Sequence, residues 1–185
     1  MDLVSLFLTS LFQENSLFTK FLGLCPFTTS KKQKPFVTGL LLLLVMLPVA
    51  ALSYALYHSV LKPYGLTTWF FLVILSLIFL VLMLLKLVLS VMEKKEERYQ
   101  SYLPFLLLNS AVSGIILSMV PTKPFLETMV SVCGSGIGLL FALYLLFAVQ
   151  KRMNRNPVPS FLKGIPIVLL TASIVSLLFE RFVGL

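Results

Sequence analysis

An all-α polytopic membrane protein is the fold class this sequence predicts, and three observations carry it. Apolar residues fill 58% of the 185 positions. Charged residues fill only 12%, about half the share usual in a soluble domain. The apolar residues also gather in charge-free runs that reach or exceed the ~20 residues a helix needs to cross a bilayer. Together these exclude a soluble enzyme and a disordered tail. The net charge of +8 does not imply a nucleic-acid partner, because the basic residues sit in short connections between apolar runs.

The spans follow in order. Leu3–Leu24 is long enough to cross but carries Gln13, Glu14, Asn15 and Lys20. An ionisable group inside a span is costly and marks a functional position by default. Glu14 and Asn15 are therefore candidates to line an ion path or to support a site. The alternative is a partly interfacial segment with Glu14 in water. The same span ends on Gly23-Leu24-Cys25-Pro26. Pro26 lacks an N–H and clashes with the preceding turn, and Gly23 permits unusual backbone angles. The helix should break there and leave Cys25 on irregular backbone, which survives at membrane depth only where protein or a cavity shields it. Cys25 is then either a soft metal ligand or a buried thiol acting as a small hydrophobe.

Phe36–Tyr57 and Tyr64–Leu85 are the second and third charge-free runs, with the sole histidine, His58, and Lys62-Pro63-Tyr64-Gly65 between them. One His cannot build a zinc site, so His58 reads as interfacial. Tyr99–Thr122 is the fourth run, interrupted by Leu103-Pro104 and Asn109-Ser110. Ser110, Gly114 and Ser118 make a small-residue stripe suited to close helix packing. Thr128–Val149 is the fifth run. Its Gly134, Gly138 and Ala142 again favour packing, and Cys133-Gly134-Ser135-Gly136 follows no strand, so it is no dinucleotide fingerprint. Phe161–Phe179 is the sixth, with Lys163 close enough to its end to snorkel. The N-terminus starts with Asp2 and lacks the basic region of a cleavable signal.

Charge gives the orientation. Lys31, Lys32, Lys34, Lys94, Lys95, Arg98, Lys151, Arg152, Arg155 and Lys163 follow the odd-numbered spans, against Lys62, Lys123 and Arg181 on the other side. The positive-inside rule places the loops after spans one, three and five in the cytoplasm and both termini outside. Six spans divide into blocks of three, about residues 1–97 and 98–185, within one membrane domain. A duplicated block with an odd number of spans inserts upside down, as in many transporters. The chain has no nucleophile beside a base, no phosphate-binding loop and no carboxylate pair, so it builds no self-contained active site.

Phe21-Leu22-Gly23-Leu24-Cys25-Pro26-Phe27 followed by Ser30-Lys31-Lys32 resembles the start of the A-type component of the Rnf electron transport complex and of the E-type component of the sodium-pumping NADH:quinone reductase (Nqr). The resemblance continues through Val60–Leu66, Leu103-Pro104 to Asn109, Val158–Gly164 and Gly184-Leu185. It implies a six-span subunit in the cytoplasmic membrane of a bacterium or archaeon. The implied partners are a homologous six-span sister subunit of opposite orientation and flavin-carrying membrane subunits. It further implies a [2Fe–2S] cluster held inside the membrane by two cysteines from each sister, relaying electrons coupled to Na⁺ or H⁺ movement. Carried over, Cys25 is the first ligand, with Gly23, Pro26 and Asn109 around the cofactor. The family pattern Thr-Asn-Cys is Leu108-Asn109-Ser110 here, so Ser110 stands at the second ligand position. A serine alkoxide is a harder donor than a thiolate and costs more to deprotonate. The alternative is a redox-silent membrane scaffold or small transporter that keeps the fold without the cluster.

Overall fold

The computed structural model describes residues 3–12, 35–92, 109–153 and 165–183, and every regular element among them is helical. In chain order these are α1 (Leu3–Phe12), α2 (Pro35–Leu56), a π-helical turn (Tyr57–Leu61), a 3₁₀ turn (Thr67–Trp69), α3 (Phe70–Met92), α4 (Ser110–Met119), α5 (Phe125–Met153) and α6 (Ile165–Val183). Among the described residues three stretches are long and apolar enough to cross a membrane: Val37–Leu61, Thr67–Leu87 and Phe125–Val149. Ser110–Met119 and Pro166–Leu177 are shorter apolar helices.

Local chemistry explains the boundaries. Pro35 opens α2 at the first helical position, where its missing N–H costs nothing. Pro48 lies inside the same helix, which a membrane helix tolerates when neighbours and local adjustments satisfy the freed carbonyl. The third charge-free run was expected to become helical at Tyr64, but α3 starts at Phe70. The delay has a physical cause. Pro63 cannot continue the hydrogen-bond ladder, and Gly65 adopts φ +68°, in the left-handed region that a side chain disfavours. A Cβ on Gly65 would meet nothing within 4 Å, so only backbone strain opposes Gly65→Ala. That variant is expected to cost about 1 kcal/mol, read as a lower thermal midpoint of the purified chain, with Gly65→Asn milder.

The core is a spine shared by four helices. Leu42, Val45, Met46 and Val49 of α2 meet Ile74, Ile78 and Leu82 of α3, Val112 and Ile116 of α4, and Leu139, Leu143 and Leu146 of α5. The α2–α5 pair is the most extensive contact, and it is antiparallel. Gly39 lies against Leu140, Leu43 against Gly136, and the Tyr54 and Phe125 rings are 5.2 Å apart. As the α2 number rises, its α5 neighbour falls. Lipid tails are as apolar as leucine, so close packing and not exclusion of water must hold these helices together. Gly39 permits it: a Cβ there would stand 2.9 Å from Leu140 Cγ and 3.2 Å from Leu140 Cα.

Several hydroxyls within the helices are satisfied locally, although the buried Ser53 Oγ has no partner among the described residues. Thr9 Oγ1 donates to Ser5 O at 2.8 Å, Thr171 Oγ1 to Ile167 O at 2.9 Å, and Ser173 Oγ to Leu169 O at 2.9 Å. Such back-bonding lets a polar side chain sit at membrane depth without a distant partner.

Candidate functional site

The site expected from the sequence has two halves, and the structure describes one. Glu14, Asn15, Gly23, Cys25 and Pro26 lie outside the described residues. Asn109 and Ser110 lie within them, where α4 begins.

Asn109 is the N-cap of α4. Its backbone is extended (φ −75°, ψ 103°), and its Oδ1 accepts from Ala111 N at 2.9 Å. The interruption expected in the fourth run is thus a helix start in the middle of an uncharged stretch, which an unsatisfied N–H could not survive in lipid. Asn109 is only 1% exposed. Its Nδ2 is buried and has no hydrogen-bond partner among the described residues. Half of this amide therefore caps the helix, and the other half meets no acceptor among the described residues. Asn109→Ala is expected to lower stability by about 0.5–2 kcal/mol. Asn109→Ser keeps a capping oxygen, so it should lose less than Asn109→Ala; thermal unfolding in detergent ranks the two.

Ser110 is the first residue of α4 and is exposed on the surface of this chain. Ser118 is also exposed, and Gly114 is half-buried. The small-residue stripe therefore faces outward and is not packed inside this chain. The α5 stripe behaves differently: Gly134, Gly138 and Ala142 are all buried. At Gly134, α1 comes so close that an added Cβ would stand 2.8 Å from Phe7 O and 3.2 Å from Ser10 Cβ. Beside it, Ser135 Oγ donates to Ser10 O at 3.5 Å.

A row of hydroxyls on this buried face of α5 is not among the residues expected from the sequence. Thr128, Ser131 and Ser135 are each fully buried, and their spacing of three and four puts them on one face. Thr128 Oγ1 bonds Lys123 O and Pro124 O at 3.1 and 3.0 Å. Lys123 Nζ reaches into the helix and donates to Ser131 Oγ at 3.2 Å. Helical periodicity among the polar residues of an apolar run is the signal that could have found them.

Other candidates resolve simply. His58 is exposed and stacks on Tyr54, ring centroids 4.2 Å apart, with an edge contact to Tyr57 at 5.2 Å. Cys133 is a half-buried free thiol on α5. Among the described residues no group of three or more His, Cys, Asp or Glu converges on a metal position. Where the resemblance implies a second ligand, Ser110 offers one exposed hydroxyl, whereas [2Fe–2S] clusters take thiolates or, in one class, two imidazoles, so this residue does not fit the usual donor set.

A bundle of long apolar helices, antiparallel at its centre, with a capped helix start inside one uncharged run, is the architecture of a polytopic membrane protein. The chain belongs to the Rnf-Nqr family, described as "Rnf-Nqr subunit, membrane protein", which it matches over residues 3–185. It is 31% identical over 195 residues to the A-type component of the Na⁺-translocating ferredoxin:NAD⁺ oxidoreductase complex of Acetobacterium woodii, covering 100% of this chain and 98% of that one. It is 31% identical over 194 residues to the A-type component of the ion-translocating oxidoreductase complex of Syntrophotalea carbinolica, covering 100% and 97%. It is 30% identical over 197 residues to the E-type component of the Na⁺-translocating NADH-quinone reductase of Psychromonas ingrahamii, covering 98% and 97%.

Proposed function

We propose that this chain is an integral subunit of an Rnf- or Nqr-type complex of the cytoplasmic membrane, in which electron transfer is coupled to Na⁺ or H⁺ movement. The observation that carries this reading is the end-to-end match to relatives named as subunits of such complexes. In this reading the chain catalyses nothing alone. It pairs with a homologous six-span sister, alongside flavin-carrying subunits, and contributes Cys25 to a [2Fe–2S] cluster shared with that partner.

One observation supports six spans in two inverted repeats: the second helices of the two blocks, α2 and α5, pair antiparallel at the centre, as a two-fold exchange of the blocks requires. The charge bias supports termini outside.

The test is the iron and acid-labile sulfide content of the purified complex, with its EPR spectrum after reduction. A cluster signal that Cys25→Ala removes is the expected result. An iron-free complex that still transfers electrons overturns the cluster and leaves the second reading, a redox-silent member that keeps the fold. The hydroxyl of Ser110 at a thiolate position is what favours that second reading.

A further inference from the structure

We propose that the connection between α2 and α3 is a docking point for the headgroup of an anionic phospholipid. The eight residues Lys62–Trp69 are exposed one after another, whereas the flanking Leu61 and Phe70 are buried in the core. The connection is therefore pinned at both ends and shows all its side chains to the outside.

It is also rigid. Lys62 N bonds Tyr57 O at 2.9 Å, Tyr64 N bonds Val60 O at 3.2 Å, Leu66 N bonds Leu61 O at 2.9 Å, and Trp69 N bonds Leu66 O at 3.0 Å. A loop shaped only to join two helices through water has no need to display large apolar side chains. This one holds Tyr64 at 75% and Trp69 at 59% exposure.

Position and charge identify the occupant. The apolar stretches Val37–Leu61 and Thr67–Leu87 both end at this connection, so it lies where hydrocarbon gives way to headgroups. Tyr and Trp favour that layer, with apolar rings toward the acyl chains and polar edges toward water. Lys62 and His58 are exposed beside them, and the chain carries no acidic residue from Pro35 to Leu85. The Tyr54–Phe125 contact brings the start of α5 to the same rim. That start adds Lys123, whose ammonium is held on Ser131, and the half-buried Glu127. Lys123 and Glu127 are both half-buried, so the fully exposed charge at this rim is Lys62, and it complements a phosphate with a net negative headgroup.

The sole tryptophan of the chain, Trp69, reports the binding directly. The full chain is placed in phosphatidylcholine nanodiscs containing, at equal mole fraction, brominated phosphatidylglycerol or brominated phosphatidylcholine. The anionic lipid should quench Trp69 more strongly, bromine near the ester should quench better than bromine near the chain end, and Lys62→Ala should lower the anionic preference by up to about fivefold. Ala at position 62 keeps the backbone N–H that closes the turn, so the fold is not at stake. Equal quenching by the two lipids, or quenching by aqueous iodide alone, overturns the proposal. In the assembled complex a photocrosslinking residue in place of Tyr64 should capture phospholipid. Capture of a neighbouring protein instead would overturn it, by showing that protein covers this turn.

Discussion

Gly134→Leu is expected to strip α1 from the bundle and to leave little folded chain in the membrane. An added Cβ at this position already falls 2.8 Å from the backbone oxygen of Phe7, nearer than a carbon can approach a carbonyl oxygen without repulsion. A side chain in the way could rotate aside, but a backbone carbonyl inside a helix moves only if the helix moves. Gly134→Ala alone should cost about 1–3 kcal/mol, the usual range for overpacking, and leucine should reach or pass its upper end. The displaced helix also forfeits the bond from Ser135 to Ser10, leaving polar groups open in a medium that cannot solvate them. Two comparisons separate this effect from a general sensitivity of α5. Gly136→Ala meets only the flexible Leu43 side chain, at 3.4 Å, and Ile137→Leu sits on an exposed position. Both should accumulate like the parent chain. Membrane accumulation and the thermal midpoint of the detergent-purified chain provide the measurement, and equal yields for all four variants would refute the close α1–α5 contact.

The same contact shows how far the sequence could be read. The charge-free runs gave α2 and α5 nearly to their ends because the need for about 20 apolar residues is a property of the bilayer and not of the neighbours. The Gly134 stripe was legible as a packing surface for a related reason, since small residues at a spacing of four have few other uses in lipid. Its partner was not legible. A helix that is apolar all round does not encode which helix it faces, and neither does a glycine. The start of α3 was misplaced for a local reason: a charge-free count does not register the turn at Pro63 and Gly65, whose backbone angle only the structure supplies. The role of Asn109 was half legible. Its residue type suits a helix cap, yet the uncharged run around it concealed that a helix begins there.

Cys25→Ala should abolish electron transfer through the assembled complex while leaving its assembly intact. Thiolate ligands are what an iron–sulfur cluster needs, and this chain has only two cysteines. Cys133 lies on α5, and the position beside Asn109 on α4 carries Ser110. On the proposed reading Cys25 is the one thiol this chain can bring to a shared cluster, so its loss cannot be made good from within the chain. Ser110→Cys tests the same arrangement from the other side. Ser110 is exposed at the first turn of α4, where a neighbouring protein can reach it and where the positive end of the helix dipole favours a thiolate. If that position faces the cluster, Ser110→Cys should shift the EPR spectrum or the midpoint potential of the complex and raise its iron retention. An unaltered spectrum in a complex that contains iron would remove Ser110 from the ligand set. Full electron transfer in Cys25→Ala, by contrast, would remove this chain from the redox path altogether. The redox-silent reading would then stand, with the capped break at Asn109 retained for the fold alone.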